Sequence, residues 1–226
     1  MGTRRYDGIS IQNQRTRNMD SLLLKERHIG GRSVFIAVVC DGVGSLRDGA
    51  VAATMAVQML GAWFDGVNDT GRLGLKLRDQ VLEINRVVYS MAREREIQTA
   101  STLSVLLLDE SRYYIVHLGD SRIYSYKKER LIQLTQDQVS DSGKLASCLG
   151  YAEGIMPFYN EGIADGQRFL LCSDGLYKRM EAEFLRKNMG MATGRNLRKV
   201  MAELIRYVVD RGERDNITIA FVLNEC

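Results

Sequence analysis

The chain has 226 residues, enough for one large domain or two small ones. Its hydrophobic share of 45% supports a substantial core, and a single proline beside 21 glycines argues against disordered linkers. A formal net charge of +3 is too small to indicate a nucleic-acid-binding protein.

The first part of the chain predicts strands followed by two helices. Strands are expected at residues 8–12, 20–26 and 33–40, and the third is almost entirely apolar, which indicates burial on both faces. Residues 47–64 are rich in Ala and Met and suit a helix packed on a sheet. A second helix is expected from residue 71 to about residue 95, because it carries an apolar stripe at spacings of four and three: Leu77, Val81, Ile84, Val88 and Met91.

The rest of the chain predicts a run of strands, an irregular stretch, and then helices and strands again. Strands are expected at 102–108, 112–118, 121–126 and 131–134, and their short connections favour antiparallel pairing. Residues 136–166 form the least regular part. The remaining elements are a strand at 168–173, a short helix near 180–189, a helix at about 195–211 and a strand at 217–223. We therefore expect one α+β domain over residues 1–226, with helices covering largely antiparallel sheets.

The cysteines and the N-terminus bear on location. None of the four cysteines lies in a CxxC or Cys/His zinc pattern, and Cys40 and Cys172 end strands where they suit a buried core, which fits a reducing compartment. The N-terminal residues lack the apolar stretch of a signal peptide, and no apolar run approaches the ~20 residues of a membrane helix. These features predict a cytoplasmic protein without a membrane partner.

Acidic residues recur at the ends of predicted strands. Asp41 and Asp174 each follow an apolar strand and precede a glycine turn, Asp120 follows another strand, and Asp215 comes just before the last strand. A carboxylate in that position gains nothing from the core. Several brought to one sheet edge would form an oxygen cage that is stable only with hard cations, and two metals side by side suit attack on a phosphate.

Each of these residues also has an ordinary structural interpretation. Asp41 and Asp174 suit simple turns, and the Gly-Asp-Ser sequence at Asp120 suits a hairpin turn. Arg15 lies near other arginines and could belong to a solvated basic face. The two histidines are expected to be structural, His117 packed in the core and His28 at the surface.

Five segments match one set of motifs in order along the chain. They are residues 15–20 (RTRNMD, similar to R-x-x-N-E-D), 41–44 (similar to D-G-x-G), 119–122 with 134–137 (similar to G-D-S-R and L-T-x-D), 171–176 (similar to L-C-S-D-G-L) and 215–218 (similar to D-N-x-T). Together they resemble the metal-dependent protein serine/threonine phosphatases, the type 2C or PPM family, in a compact bacterial-like form. The resemblance runs from about residue 8 to residue 223.

This resemblance implies a four-layer α-β-β-α sandwich, in which two antiparallel sheets are flanked by helices and metals lie in a cleft at one edge. By analogy, Asp41 would bridge two divalent ions, Mn²⁺ or Mg²⁺. The Gly42 carbonyl would bind the second ion, and Asp174 and Asp215 would bind the first.

The remaining site residues follow from the same resemblance. Asp20 would hold a metal-bound water, Asp120 would help to bind a possible third and weaker ion, and Arg15 would hold the substrate phosphate. The implied reaction is direct attack of the metal-bridging water on phosphoserine or phosphothreonine. The implied partner is a phosphorylated protein, either the target of a Ser/Thr kinase or the kinase itself, and the implied setting is signal transduction.

The sequence departs from the family pattern at several positions. Met19 stands where the family usually has Glu, and a thioether is a poor ligand for Mg²⁺ or Mn²⁺, so the second ion should bind more weakly. Val43 stands where many eukaryotic members carry a histidine, Ser45 replaces a common glycine, and Gln138 replaces a histidine. The segment that forms a mobile flap in bacterial relatives must be shortened or rebuilt, within residues 139–166.

Two other functions remain open at this level. Met19 and the reduced flap would suit a non-catalytic or regulatory PPM-like module that binds a phosphoprotein partner, although such a module has no need of a repelling carboxylate cage. A two-metal phosphodiesterase or nuclease is disfavoured by the weak net charge and by the lack of interleaved aromatic and basic residues. A P-loop enzyme is excluded because Gly143-Lys144 lacks the rest of the motif.

Overall fold

The computed structural model describes residues 4–224, in which ten strands and five helices are formed. The strands are β1 (Arg4–Ile11), β2 (Asp20–Ile29), β3 (Arg32–Asp41), β4 (Leu103–Asp109), β5 (Arg112–Leu118), β6 (Arg122–Lys127), β7 (Arg130–Gln133), β8 (Phe158–Ile163), β9 (Arg168–Cys172) and β10 (Ile217–Asn224). The helices are α1 (Gly49–Gly66), α2 (Leu73–Glu94), α3 (Asp174–Tyr177), α4 (Ala182–Met191) and α5 (Leu197–Val209). None of them is long and apolar enough to cross a membrane.

The strands form two sheets of five. The first sheet has the order β1-β10-β9-β6-β7, and the second has the order β2-β3-β4-β5-β8. Every neighbouring pair is antiparallel, as the short connections predicted. Non-consecutive neighbours such as β1 and β10 bring the two ends of the chain together in the first sheet.

Three apolar layers hold these elements together. Side chains such as Phe35, Phe169 and Val222 fill the space between the two sheets. A second layer, which includes the buried α2 stripe, lies between the second sheet and helices α1 and α2. A third lies between the first sheet and helices α3 to α5. The predicted four-layer α-β-β-α sandwich is therefore confirmed, and burial of large apolar side chains, at roughly 1.5–3 kcal/mol each, is its main source of stability.

The predicted element boundaries were wrong in three places. β1 begins at Arg4 rather than at residue 8. The buried Arg4 guanidinium bonds through Nε and Nη1 to Asn224, Glu26 and Ser33, which compensates much of the cost of burying its charge in the sheet. β8 lies inside the stretch expected to be irregular, because its partly exposed residues lack a strong apolar pattern and are ordered by pairing with β5. Helix α3 has only four residues, too few for a periodic signal.

The sandwich brings four strand ends to one edge. In the second sheet β2 begins at Asp20 and β3 ends at Asp41, and these two residues are register partners. In the first sheet β9 ends just before Asp174, and β10 begins just after Asp215. The hydroxyl of Ser173 donates to Asp20 Oδ2 at 2.8 Å and so joins the two sheets at this edge.

Both histidines lie where they were expected: His117 is packed in the core and His28 is exposed. The Nε2 of His117 lies 2.9 Å from the carbonyl oxygen of Gly119, and its Nδ1 lies 2.9 Å from the hydroxyl of Ser104. Burial lowers the pKa of His117 to about 4. A neutral imidazole that donates from Nε2 and accepts at Nδ1 satisfies both contacts.

This burial predicts an acid-dependent loss of stability. In the unfolded chain His117 binds a proton near the ordinary histidine pKa, whereas in the folded chain it does so only near pH 4. The contribution of neutral His117 to the free energy of unfolding is therefore present at neutral pH and is lost as the pH falls below the ordinary histidine pKa. By about pH 5 the loss should reach about 2 kcal/mol. Urea unfolding of the wild type and of His117→Gln, measured across this range, should show the loss only in the wild type. Parallel pH curves for the two proteins would contradict the prediction.

Candidate metal centre

The cleft at this sheet edge has a volume of about 550 Å³. Six of the seven residues predicted to form the site line it together: Arg15, Asp41, Gly42, Asp120, Asp174 and Asp215. The seventh, Asp20, lies buried beside Asp41 behind the cleft. Residues up to 200 positions apart in the chain therefore share one small polar space.

Asp41 stands at the end of β3, whose central residues 34–40 are buried, and its backbone is fixed by Thr102. The Asp41 N–H donates to Thr102 Oγ1 at 2.9 Å, and the Thr102 N–H donates to the Asp41 carbonyl at 2.9 Å. Burial, followed by the negative charges of Asp20 and Asp174, raises the pKa of Asp41 well above its usual range. The carboxyl is therefore held firmly in a place where its own charge is disfavoured.

Gly42 follows Asp41 in a position where only glycine fits. A Cβ atom there would lie 2.7 Å from the carbonyl oxygen of Gly49 and 2.8 Å from that of Met19. The missing side chain lets the turn after β3 pack closely against the loop before β2. This close packing keeps the backbone beside Asp41 at the wall of the cleft.

Asp20 contributes a buried carboxyl group. Its Oδ2 accepts the hydrogen bond from Ser173, but its Oδ1 is buried without a hydrogen-bond partner among residues 4–224. Burial raises the pKa of Asp20 to about 6, and the charges of Asp174 and Asp215 add to that rise. Buried polar atoms are rarely left unpaired, so this oxygen indicates a ligand or water that belongs in the cleft.

Asp174 opens helix α3 rather than lying in a glycine turn, which corrects the predicted local structure. The next residue, Gly175, has no space for a Cβ atom because the carbonyl oxygen of Asn216 lies against it. This contact presses the start of α3 onto the loop that carries Asp215. One turn later, the ammonium group of Lys178 forms an ion pair with Asp174 Oδ2.

Arg15 forms a two-pronged ion pair with Asp215. Its Nε and Nη2 atoms lie 2.8 Å and 2.6 Å from the two carboxylate oxygens. Burial alone would raise the pKa of Asp215, but the bonds from Arg15 and from the Asn216 N–H outweigh it, so the pKa lies below its usual range. The structure thus brings Arg15 to the cleft, where its guanidinium is held by a carboxylate.

Two asparagines position the loop that carries Arg15. Asn13 Nδ2 donates to the carbonyls of Glu213 and Asp215, each at 2.9 Å. Asn216 Nδ2 donates to the carbonyls of Gln12 and Arg17, and its Oδ1 accepts from the Met19 N–H. These bonds clamp the loop before β2 to the loop before β10.

Asp120 lies on the opposite side of the cleft, after Gly119, whose φ of +94° favours glycine. Its Oδ2 accepts a bond of 3.3 Å from the hydroxyl of Tyr177. Burial and then the charge of Asp174 raise the pKa of Asp120, while Lys178 and Tyr177 act against that rise. Asp120 is thus electrostatically part of the same carboxylate cluster.

The donor set fits hard divalent cations, since carboxylates and backbone carbonyls are the ligands that Mg²⁺ and Mn²⁺ prefer. Within residues 4–224, however, no three acidic, histidine or cysteine side chains converge closely enough to form a ready coordination sphere. The ion pairs account for this, because Asp215 faces Arg15 and Asp174 faces Lys178. A bound cation would take over carboxylate oxygens that these side chains now hold.

The departures from the family pattern lie close to this cluster. Met19 and Val43 line the cleft, and Gln138 Oε1 accepts the Gly119 N–H at 3.0 Å. β8 occupies residues 158–163 of the segment 139–166 that was expected to hold the shortened or rebuilt flap, so residues 139–157 are the part that precedes β8. It includes a bridge between Val139 and Leu145 and reaches the cleft at Gly143 and Leu145.

Several residues that build the site were given no role by the sequence. Ser173 and Asn216 lie inside matched motifs and Thr102 lies outside them, and the structure shows that these three residues hold the backbone and carboxylates of the site. Lys178 was also missed, although its position four residues after Asp174 is the spacing of a helical ion pair. The short helix that creates this spacing was itself not predicted.

The family model and two curated relatives that match this chain are all described as protein phosphatases. The family model described as Protein phosphatase 2C matches residues 8–217. The chain is 27% identical to the protein phosphatase PhpP of Streptococcus pneumoniae, over 95% of each chain. It is also 27% identical to a putative protein phosphatase of Mycoplasma genitalium, over 83% of this chain and 84% of the relative.

Solved structures show the same fold. The crystal structure of the serine/threonine phosphatase Stp1 from Staphylococcus aureus superposes with a TM-score of 0.89 at 19% identity, over 98% of this chain and 95% of that one. The serine/threonine phosphatase PstP/Ppp of Mycobacterium tuberculosis gives 0.81 at 24% identity, over 99% of each chain. The two-sheet arrangement is thus shared despite low sequence identity.

The crowding of carboxylates predicts that Asp41→Asn has opposite effects on the stability of the protein with and without metal. In EDTA the variant should be more stable than the wild type by about 1 kcal/mol, because a disfavoured charge is removed. With millimolar Mn²⁺ it should lose most of the thermal stabilisation that the wild type gains, because binding to the folded state is what stabilises it. Thermal unfolding under both conditions measures this.

The matched control for this comparison is Asp165→Asn, which changes an exposed aspartate away from the cleft. It should behave like the wild type in both conditions. An Asp41→Asn protein that is destabilised in EDTA, or that keeps the full Mn²⁺ shift, would contradict the assignment of Asp41 to a repelling metal-binding cluster.

Proposed function

The chain belongs to the protein phosphatase 2C family and is a protein serine/threonine phosphatase, and we propose that it hydrolyses phosphoserine and phosphothreonine by direct attack of water on phosphorus at this cleft. The observation that carries the proposal is the gathering of Asp41, Asp120, Asp174 and Asp215 around one small space that Arg15 also lines. A cluster of like charges destabilises a fold unless cations neutralise it, so such a cluster is expected where a protein binds cations for a reaction.

We assign the divalent ions to the carboxylates of this cluster. Asp41 and the Gly42 carbonyl would hold one ion, and Asp41 with Asp174 and Asp215 would hold another, while Asp120 faces a possible third. When bound, Mn²⁺ or Mg²⁺ would lower the pKa of water and neutralise the charge that develops on the phosphate. The oxygen-rich lining and the unpartnered Asp20 Oδ1 support this assignment.

Arg15 is the residue that we expect to bind the phosphate. Its guanidinium fork already makes two parallel bonds to a carboxylate, and the same fork matches two oxygens of a phosphate monoester. Its side chain is 56% exposed, so it can exchange the one partner for the other. The Asn13 and Asn216 clamps keep its loop in place during that exchange.

Asp20 is suited to orient the attacking water. Its Oδ2 is fixed by Ser173, and its free Oδ1 can accept a hydrogen bond from a water in the cleft. In the reaction a water oxygen forms a bond to phosphorus while the bond from phosphorus to the serine or threonine oxygen breaks. That oxygen must then receive a proton, and because His28 and His117 both lie elsewhere, water is the donor that we propose.

The partners follow from the reaction class. The substrate is a phosphorylated protein, and we propose that it is the target of a Ser/Thr kinase or the kinase itself, in cytoplasmic signal transduction. Residues 139–157 reach the cleft and are the segment that we propose as a shortened flap within one domain. The alternative is a non-catalytic PPM-like module that binds a phosphoprotein, which the Met19 substitution favours.

The first experiment is hydrolysis of p-nitrophenyl phosphate with Mn²⁺, Mg²⁺ or EDTA. We expect turnover with either metal and none in EDTA. Asp41→Ala should lower the rate by at least about a hundredfold, the scale of losing one preorganised electrostatic group. Phosphoserine, phosphothreonine and phosphotyrosine peptides would then establish selectivity for the first two.

Asp165→Ala serves as the control and should keep wild-type turnover, since Asp165 is exposed outside the cleft. A folded wild-type protein that is inactive with every metal would support the binding-module alternative. Turnover that persists in Asp41→Ala would exclude the proposed role of the carboxylate cluster.

Met19 provides a separate prediction. Its thioether lines the cleft next to Gly42 and cannot serve a hard cation well. Met19→Glu should therefore lower the Mn²⁺ concentration for half-maximal activation by about tenfold, because it adds a carboxylate oxygen to a site of this kind. Met19→Gln, which has a similar length but no charge, should change it much less, and equal effects of the two variants would contradict the interpretation.

A further inference from the structure

Lys178 is a cationic side chain of the cleft that has no role in the proposed reaction. It follows Asp174 by one helical turn, and its ammonium group forms an ion pair with Asp174 Oδ2. Its side chain is 56% exposed, whereas that of Asp174 is only 16% exposed. An exposed cation thus covers one oxygen of a largely buried carboxylate.

The charge of Lys178 acts on more than one carboxylate. Burial disfavours its charged form, but the hydrogen bond to Asp174 and the charges of Asp120 and Asp41 outweigh this and raise the pKa of Lys178. Its positive charge in turn acts against the rise in the pKa of Asp120. Lys178 lines the same cleft as Asp41, Asp120 and Asp174, so its ammonium group lies close to several carboxylates of the cluster.

The neighbouring residue, Tyr177, reinforces this arrangement. Its hydroxyl donates to Asp120 Oδ2, so adjacent residues at the end of α3 contact Asp120 and Asp174. The Tyr177 ring lies 3.7 Å below the guanidinium of Arg122, which itself pairs with Asp137. The end of α3 is thus anchored, and its position relative to both carboxylates is fixed.

We infer that Lys178 is a resident cation that competes with a divalent metal ion for the side of the cleft between Asp120 and Asp174. The inference rests on the proposed function, since it concerns the number of ions that the same cleft holds. An ammonium group has three donors and no lone pair, so it can neutralise these carboxylates but cannot ligate a metal. An ion placed between them would meet like-charge repulsion from Lys178 and would lose the Asp174 oxygen that Lys178 holds.

A metal ion placed beside the Lys178 ammonium group is repelled by its positive charge. The wild-type cleft should therefore hold its ions mainly on the Asp41 and Asp215 side. Removing the ammonium group frees an oxygen of Asp174 and leaves the charge of Asp120 uncompensated. Both changes favour an additional cation. Lys178 would therefore set how many Mn²⁺ ions bind at a given concentration.

The test is a calorimetric Mn²⁺ titration of the full chain, which needs no substrate and no turnover. Lys178→Gln should bind one more Mn²⁺ than the wild type, or bind its weakest ion at least about tenfold more tightly, because a nearby like charge is gone. Lys178→Arg keeps the charge and should match the wild type. Lys76→Gln removes a lysine from an exposed ion pair with Asp69, away from the cleft, and should also match it.

A double variant locates the additional ion. Asp120→Asn in the Lys178→Gln background should abolish the gain if the ion lies between Asp120 and Asp174. A gain that persists in the double variant, or identical titrations of Lys178→Gln and the wild type, would overturn the inference while leaving the metal centre intact. A wild-type chain that binds no Mn²⁺ would instead overturn the proposed function, and this inference with it.

Discussion

Mutual repulsion among the cleft carboxylates is the constraint on which the rest of the site depends. Asp20 and Asp41 are paired across adjacent strands, and the charges of Asp174 and Asp215 act on both. The fold tolerates this because the flanking core is large and because cations of the chain itself, Arg15 and Lys178, face two of the carboxylates. The cluster thus carries an electrostatic cost to the stability of the fold, which bound cations would relieve.

The two-sheet sandwich is what makes such crowding possible. Asp20 and Asp41 come from strands of the second sheet, whereas Asp174 opens helix α3 after β9 and Asp215 lies in the loop before β10, so no single element has to carry adjacent charges. Ser173 and the Gly175 contact with Asn216 then join the sheets at this edge. Asp174 and Asp215 are less exposed than the side chains that neutralise them, Lys178 and Arg15, which remain more than half exposed.

This division between less exposed anions and more exposed cations suits the phosphatase function proposed above. The carboxylates need constant positions to hold metal ions, and preorganised charges of this kind cost no rearrangement during the reaction. The loop that carries Arg15 is clamped by Asn13 and Asn216, while the Arg15 side chain is more than half exposed and pairs with Asp215. Residues 139–157 reach the rim of the same cleft at Gly143 and Leu145.

The sequence by itself determined the family, the layered architecture and the seven candidate site residues, because strand patterns and short motifs are local properties. It failed at β8, at α3 and at Lys178, where pairing with a neighbouring strand or one short helical turn creates structure without a periodic signal. Only the tertiary structure decided which carboxylates face which cations. Such partners are up to 200 residues apart, and the sequence does not encode their distance in any local pattern.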